Sequence, residues 1–177
     1  MEVVTTNLCG VLLIKPRVFR DARGFFMESF QQKRYAEAGI DMPFVQDNHA
    51  HSRKNTLRGL HFQLRQPQGK LVAVSHGSVF DVVVDIRPGS QSFGAWFGAE
   101  LSEENQHQVW IPPGLAHGYC VLSEYADFYY KCTEYYIPND EAGILWNDPD
   151  LKINWPVENP ILSEKDMQWP LFRDIFW

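Results

Sequence analysis

The sequence predicts an all-β chain, an antiparallel sandwich or small barrel. Short strand candidates recur from Val45 onward, with Gly/Pro turn signals between them. Only one stretch, 31–38, has helical length. At 177 residues, with no repeat, low-complexity tract or clear linker, the expectation is one domain over residues 1–177.

In chain order, residues 1–30 read as extended. Gly10-Val11-Leu12-Leu13-Ile14 is a strand candidate, Arg17-Val18-Phe19 leads to the turn Asp21-Ala22-Arg23-Gly24, and Phe25 to Phe30 follows as a strand. The helix at 31–38 has Ser29 as its cap and Gly39 as its end. Pro43 returns the chain to extended structure. Strands are then expected at Leu57–Leu64, Lys70–Ser75, Val79–Arg87, Ala95–Leu101, Gln108–Ile111, Gly118–Leu122 and Asp127–Ile137. Within the third of these, Phe80 to Ile86 alternates apolar residues with the carboxylates Asp81 and Asp85, as a wall strand does. Ser163-Glu164-Lys165-Asp166 reads as the capped start of a short helix over about 163–168.

Composition narrows the partners. A net charge of −6 argues against nucleic acid and anionic membranes, but a few local cations can still bind a small anionic ligand. Met1 to Thr6 has neither a basic nor an apolar region, so no signal peptide is expected, and no apolar run approaches the ~20 residues of a membrane helix. Cys9, Cys120 and Cys132 lack metal or redox spacing, which fits a reduced, cytoplasmic protein.

The chemistry gathers on Leu57-Arg58-Gly59-Leu60-His61-Phe62-Gln63. Strict alternation puts His61 and Gln63 on one face and Arg58 on the other, and Gly59 can mark a bulge that re-aims one of them. A metal site is poorly supported, because Gln63 stands where a second His would be and only His117 follows downstream. His49 and His51 lie in a polar run that reads as a solvated loop. There is no nucleophile elbow, Walker loop or dinucleotide fingerprint. Acid–base chemistry remains. His61 is a candidate base, since a free imidazole titrates near neutrality, at about 6.5; Tyr130 shares a strand face with Phe128 and Cys132, and Lys70 follows a turn.

These segments together resemble the dTDP-4-dehydrorhamnose 3,5-epimerase family over nearly the whole chain. Asp21-Ala22-Arg23-Gly24-Phe25-Phe26-Met27-Glu28 is similar to its D-x-R-G-x-F-x-E segment. Gln46-Asp47-Asn48, Leu57 to Gln63, Gly69-Lys70-Leu71-Val72 and Phe80 to Arg87 follow in family order. Trp110 to Gly118, Tyr130-Lys131 and Leu162 to Asp166 complete it.

The resemblance implies a cupin-like jelly-roll barrel with a few short peripheral helices. Its core would span about 45–147, with N-terminal strands in 1–30 and a C-terminal helix at 163–168. It implies a homodimer, without metal or organic cofactor, that epimerises C3 and C5 of a nucleotide-linked 4-keto-6-deoxyhexose on the way to an L-rhamnose type of sugar. His61 matches the base, Asp166 its carboxylate partner, Tyr130 the acid and Lys70 the cation beside the C4 oxygen. Arg23, Phe26, Glu28, Gln46, Asn48, Arg58, Gln63, His117, Glu141 and Lys165 match substrate contacts. An exposed Val11–Ile14 strand is expected to pair across the dimer.

Three positions depart from the family pattern: His76 before Gly77, Gly69 in place of Ala, and Asn55-Thr56 in place of a Gly-containing pair. They leave room for a relative that inverts only C3 or only C5. A non-catalytic sugar-nucleotide module and a metal-dependent cupin are the other readings.

Overall fold

The structure, a computed structural model, describes residues 1–175. Its strands are β1 (Glu2–Thr5), β2 (Leu12–Lys15), β3 (Val18–Asp21), β4 (Gly24–Met27), β5 (Gln46–Arg53), β6 (Leu57–Gln63) and β7 (Lys70–His76). They continue with β8 (Ser78–Asp85), β9 (Trp96–Ser102), β10 (Gln108–Ile111), β11 (Leu115–Val121), β12 (Tyr125–Cys132) and β13 (Glu141–Gly143). A helix, α1 (Gln32–Glu37), follows β4.

Two main sheets form, in the orders β1-β2-β10-β7-β12-β5 and β13-β6-β11-β8-β9, with β3-β4 as a separate hairpin. From β5 to β8 and again from β9 to β13 each strand lies in the opposite sheet from the one before it. That alternation is the jelly roll that the family resemblance implied. The sheets stay open at their edges instead of closing into one hydrogen-bonded barrel.

Three apolar layers hold this together. Between the sheets, Val72, Val74 and Phe128 of the six-stranded sheet meet Val83, Leu101 and Val121 of the five-stranded one, all fully buried. On the outer face of the five-stranded sheet, Val82 and Val84 pack under Leu151, Ile153, Trp155 and Phe172 from the C-terminal segment. On the outer face of the six-stranded sheet, Tyr35 of α1 packs with Ile14, Leu71 and Trp110. Its hydroxyl donates to Gln108 Oε1 (2.7 Å) or the Ser29 carbonyl (3.0 Å).

Several expectations need correction. β2 lies inside the six-stranded sheet between β1 and β10, with Val11 and Ile14 buried, so it offers no free edge to a second copy. The main sheets therefore begin well before residue 45. His49 and His51 sit on β5, paired with β12 along its whole length, and not in a loop. The polar run reads as loop because β5 is an edge strand with one wet face. Gln31, not Ser29, caps α1, its side chain accepting from the Arg34 amide. Residues 163–168 form a hydrogen-bonded turn and no helix, although Ser163 Oγ does accept from the Asp166 amide (3.1 Å). β12 ends at Cys132, where the chain turns and the Gly69 amide donates to Thr133 Oγ1 (2.8 Å). No helix among the described residues is long and apolar enough to cross a membrane.

Candidate active site

β6 and β11 carry two imidazoles side by side: His61 and His117 are direct partners in the ladder. Two residues further along β11 the register slips, and Tyr119 faces Arg58. Three residues of β6 thus span two of β11, which turns Arg58 toward the same cavity as His61. Gly59 makes this possible. Its φ is +127°, and an added Cβ would stand 2.6 Å from the Gly118 Cα. The expected bulge is present, and it overrides the strict alternation.

The cavity, of about 330 Å³, lies between the sheets. His61 enters from the five-stranded sheet, Lys70 and Tyr130 from the six-stranded one. His61 Nε2 donates to Asp166 Oδ1 at 2.5 Å. Trp169 Nε1 donates to the same oxygen at 3.2 Å. Burial works against the Asp166 carboxylate, but the hydrogen bond and charge of His61, with help from Ser163 and Trp169, keep it below the usual carboxylate range. With Nε2 so engaged, Nδ1 is the nitrogen left to act as a base. It lies 4.0 Å from Glu141 Oε1.

Tyr130 is held as a phenol. Burial first, then the Cys132 thiol and Tyr119, push it up to about 12. Lys70 sits 5.8 Å from the centroid of the Tyr130 ring, and burial lowers its pKa against the pull of Cys132, Glu141 and Asp81. The residue before it has little freedom: a Cβ on Gly69 would meet the Trp110 ring at 2.8 Å. A base and an acid on opposite walls, with a cation beside the acid, can remove a proton from one face of a carbon next to a carbonyl and return one to the other.

The remaining cavity residues are polar and braced. Gln46 and Asn48 bond to each other at 3.0 Å, and Asn48 Nδ2 donates to Cys132 Sγ at 3.5 Å. Arg58 donates from Nε and Nη2 to Ser52 Oγ, both at 3.1 Å. His117 Nε2 donates to Asp81 Oδ2 at 2.8 Å, while Asp81 Oδ1 has no partner. Glu141 Oε2 accepts from Tyr136 (2.7 Å) and Lys165 (2.7 Å). Beyond Arg58 and His61 a second depression of about 440 Å³ opens onto Ser163 and Lys165. Among the described residues no group of three His, Cys, Asp or Glu side chains is arranged to hold a metal ion.

Four of the expected residues are elsewhere. Arg23 is at the tip of the β3-β4 hairpin, its side chain 91% exposed and paired with Asp21. Phe26 is 71% exposed, and Glu28 pairs with Arg34. Phe26 and Glu28 line a different groove, against Met1 and Val3. Gln63 is engaged by backbone: it accepts from the Ile137 amide (2.8 Å) and donates to the Gln66 carbonyl (2.7 Å). Conversely, Asp81, Ser52, Tyr136 and Trp169 were not among the expected site residues. For Asp81 the alternation of β8 was the available signal, since it places that carboxylate on one face with Val83, toward the interior. Tyr136 lies in an exposed run without periodicity.

A jelly roll whose interior cavity is equipped for proton transfer beside a carbonyl defines a class of isomerases. Comparison with known proteins narrows this. Residues 5–174 match the family model described as dTDP-4-dehydrorhamnose 3,5-epimerase. The chain is 57% identical over 176 residues to a dTDP-4-dehydrorhamnose 3,5-epimerase of Pseudomonas aeruginosa, covering 98% of this chain and 97% of that one. A Legionella pneumophila dTDP-6-deoxy-D-glucose-3,5-epimerase, solved in complex with dTDP-4-keto-L-rhamnose, superposes with a TM-score of 0.96. It is 52% identical, over 99% of this chain and 94% of that one. A 3'-monoepimerase of Streptomyces bikiniensis, in complex with dTDP-quinovose, has a TM-score of 0.89 at 33% identity, over 95% and 86% of the two chains. The chain belongs to the dTDP-4-dehydrorhamnose 3,5-epimerase family, isomerases that act on a nucleotide sugar.

Proposed function

We propose that the chain inverts C3 and C5 of dTDP-4-dehydro-6-deoxy-D-glucose to give dTDP-4-dehydro-L-rhamnose, using side chains alone. The observation that carries this is the Asp166–His61 pair facing Lys70 and Tyr130 across one cavity. His61 Nδ1 takes the proton from the carbon beside the C4 carbonyl. The C–H electron pair moves into the ring and onto the C4 oxygen, where the Lys70 ammonium meets the developing charge. Tyr130 then donates its phenolic proton to the opposite face of the carbon, and solvent restores both residues. A placed base or acid is worth roughly 10²–10⁴ in rate. A donor at the enolate oxygen is worth about 3–4 kcal/mol, by analogy with oxyanion holes. Arg58 and Lys165 would bind the diphosphate, Arg58 with a bidentate fork.

The protein acts as a homodimer in this reading. The β3-β4 hairpin belongs to neither main sheet, and Phe19, Phe25 and Phe26 on it are all at least half exposed. Isolated two-stranded hairpins with bare aromatics need a surface to cover them. A second copy of the chain supplies one, and Arg23, Phe26 and Glu28 would then complete its partner's site. Nucleotide-sugar chemistry and the free thiols of Cys9, Cys120 and Cys132 fit the cytoplasm.

The test is proton NMR of the 4-keto sugar nucleotide with the protein in deuterated water. Loss of both the C3 and C5 signals is expected. Loss of one would move the chain to the single-position epimerases, a reading that its similarity to a 3'-monoepimerase keeps in play. Retention of both would end the proposal.

A further inference from the structure

We propose that Glu141 and Lys165 form a latch operated by the nucleotide. The diphosphate of the bound substrate draws Lys165 off Glu141, and the released carboxylate then strengthens His61 as a base. This rests on the assignment of His61 as the base.

Titratable or charged groups face His61 from the elements packed around it. Asp166 holds Nε2 from the C-terminal turn, and Arg58 lies on the same strand. His117 on β11 is occupied with Asp81. Lys70 and Tyr130 face it from the other sheet, and Glu141 on β13 stands 4.0 Å from Nδ1. Of these, Glu141 has a cation that can be taken away. The Lys165–Glu141 pair is 2.7 Å long, but the Lys165 side chain is 49% exposed while that of Glu141 is only 12% exposed. Lys165 also lines the depression it shares with Arg58, where a diphosphate joining the two would sit. A diphosphate carries more negative charge than one carboxylate and competes for the ammonium.

Once Lys165 leaves, Glu141 Oε2 keeps the Tyr136 phenol as its partner. The carboxylate has then lost its ion-pair partner and stands beside the nitrogen that becomes positive in catalysis. An anion within about 4–6 Å favours the protonated form of a base. Burial opposes ionisation of Glu141, yet hydrogen bonds from Lys165 and Tyr136 hold its pKa below the ordinary value, so it starts as a carboxylate. Asp166 follows Lys165 directly, but its amide is fixed to Ser163 Oγ. The Lys165 ammonium also lies 5.9 Å from the centroid of the Trp169 ring, which it leaves when it swings, while the Asp166 amide stays on Ser163.

The experiment is an NMR titration of the His61 imidazole in the full chain, free and saturated with dTDP, with His61→Asn used to assign the resonance. The wild-type midpoint is expected to rise by about one pH unit with dTDP. Glu141→Gln should remove most of that rise. Lys165→Met should lift the free midpoint toward the bound value, leaving dTDP little to add. An unmoved wild-type midpoint, an equal rise in Glu141→Gln, or an unchanged free midpoint in Lys165→Met would each overturn the latch. Should Glu141→Gln not fold, the exposed Lys165→Met still decides. Solvent exchange into the sugar reports separately: full exchange with a Glu141-independent titration removes the latch and leaves the epimerase, while no exchange removes the epimerase itself.

Discussion

His61 and Tyr130 stand on opposite walls, and this separates two experiments that a single-base site would merge. Tyr130→Phe should still exchange substrate protons with deuterated water, because His61 can return a deuteron to the face it took from. Inversion should fall by roughly 10²–10⁴. His61→Asn should lose exchange and inversion together, and NMR of the product mixture reads both. In the proposed mechanism Lys70 sets the alkaline limit. Burial lowers its pKa from 10.5, and its charged form would hold the enolate, so as pH rises kcat should begin to decline before pH 10.5 as the ammonium is lost. Tyr130, pushed to about 12, keeps its proton through that range. Lys70→Arg should abolish this limb at a reduced plateau, since guanidinium does not titrate there; a limb that persists would assign the decline to another group. At this scale the sequence showed the reacting types in family order, but not who holds whom. The His61–Asp166 contact spans 105 positions, and no periodicity links two such residues. The alternation of β8 pointed Asp81 inward but not to His117, and nothing in the sequence set Ser52 under Arg58.

Strands and turns were more legible than contacts. Gly and Pro punctuation located the strands from β6 to β12, because turns need residues of special φ whatever the tertiary fold. The failures have particular causes. β5 carries polar residues on its wet face and so resembles a loop. The 163–168 segment has a real Ser163 cap, but only one turn closes, through the Met167 and Gln168 amides, before Pro170 turns the preceding residue away from helical backbone. The Gly59 bulge was legible as a possibility, and its purpose emerges only with β11 beside it. Gly59→Ala would force a Cβ to 2.6 Å from the Gly118 Cα and 2.8 Å from the His117 carbonyl, at a φ of +127° that disfavours any side chain. We expect a loss of about 2–4 kcal/mol in stability. Activity should fall further than stability, since Arg58 and His61 flank the bulge. Denaturant melts and exchange assays on one preparation compare the two.

For the molecule as a whole, the main sheets make one continuous unit while the β3-β4 hairpin stands outside it. The family resemblance supplied the jelly roll and the expectation of a dimer, whereas the hairpin's detachment became visible only in the structure. Light scattering should give twice the chain mass. A monomer would remove the shared site, and with it the reason for Phe26 to be 71% exposed. The detached hairpin also has a genetic consequence. If each cavity is assembled from two chains, damage to the hairpin and damage to the base are recessive to one another. Mixing equal amounts of inactive Phe26→Ala and His61→Asn chains, with subunit exchange, makes half the dimers mixed, each with one intact cavity. Activity should therefore return to about a quarter of the wild-type level from two dead parents. Two defective alleles in one cell would rescue each other, as they could not if every chain carried its whole site.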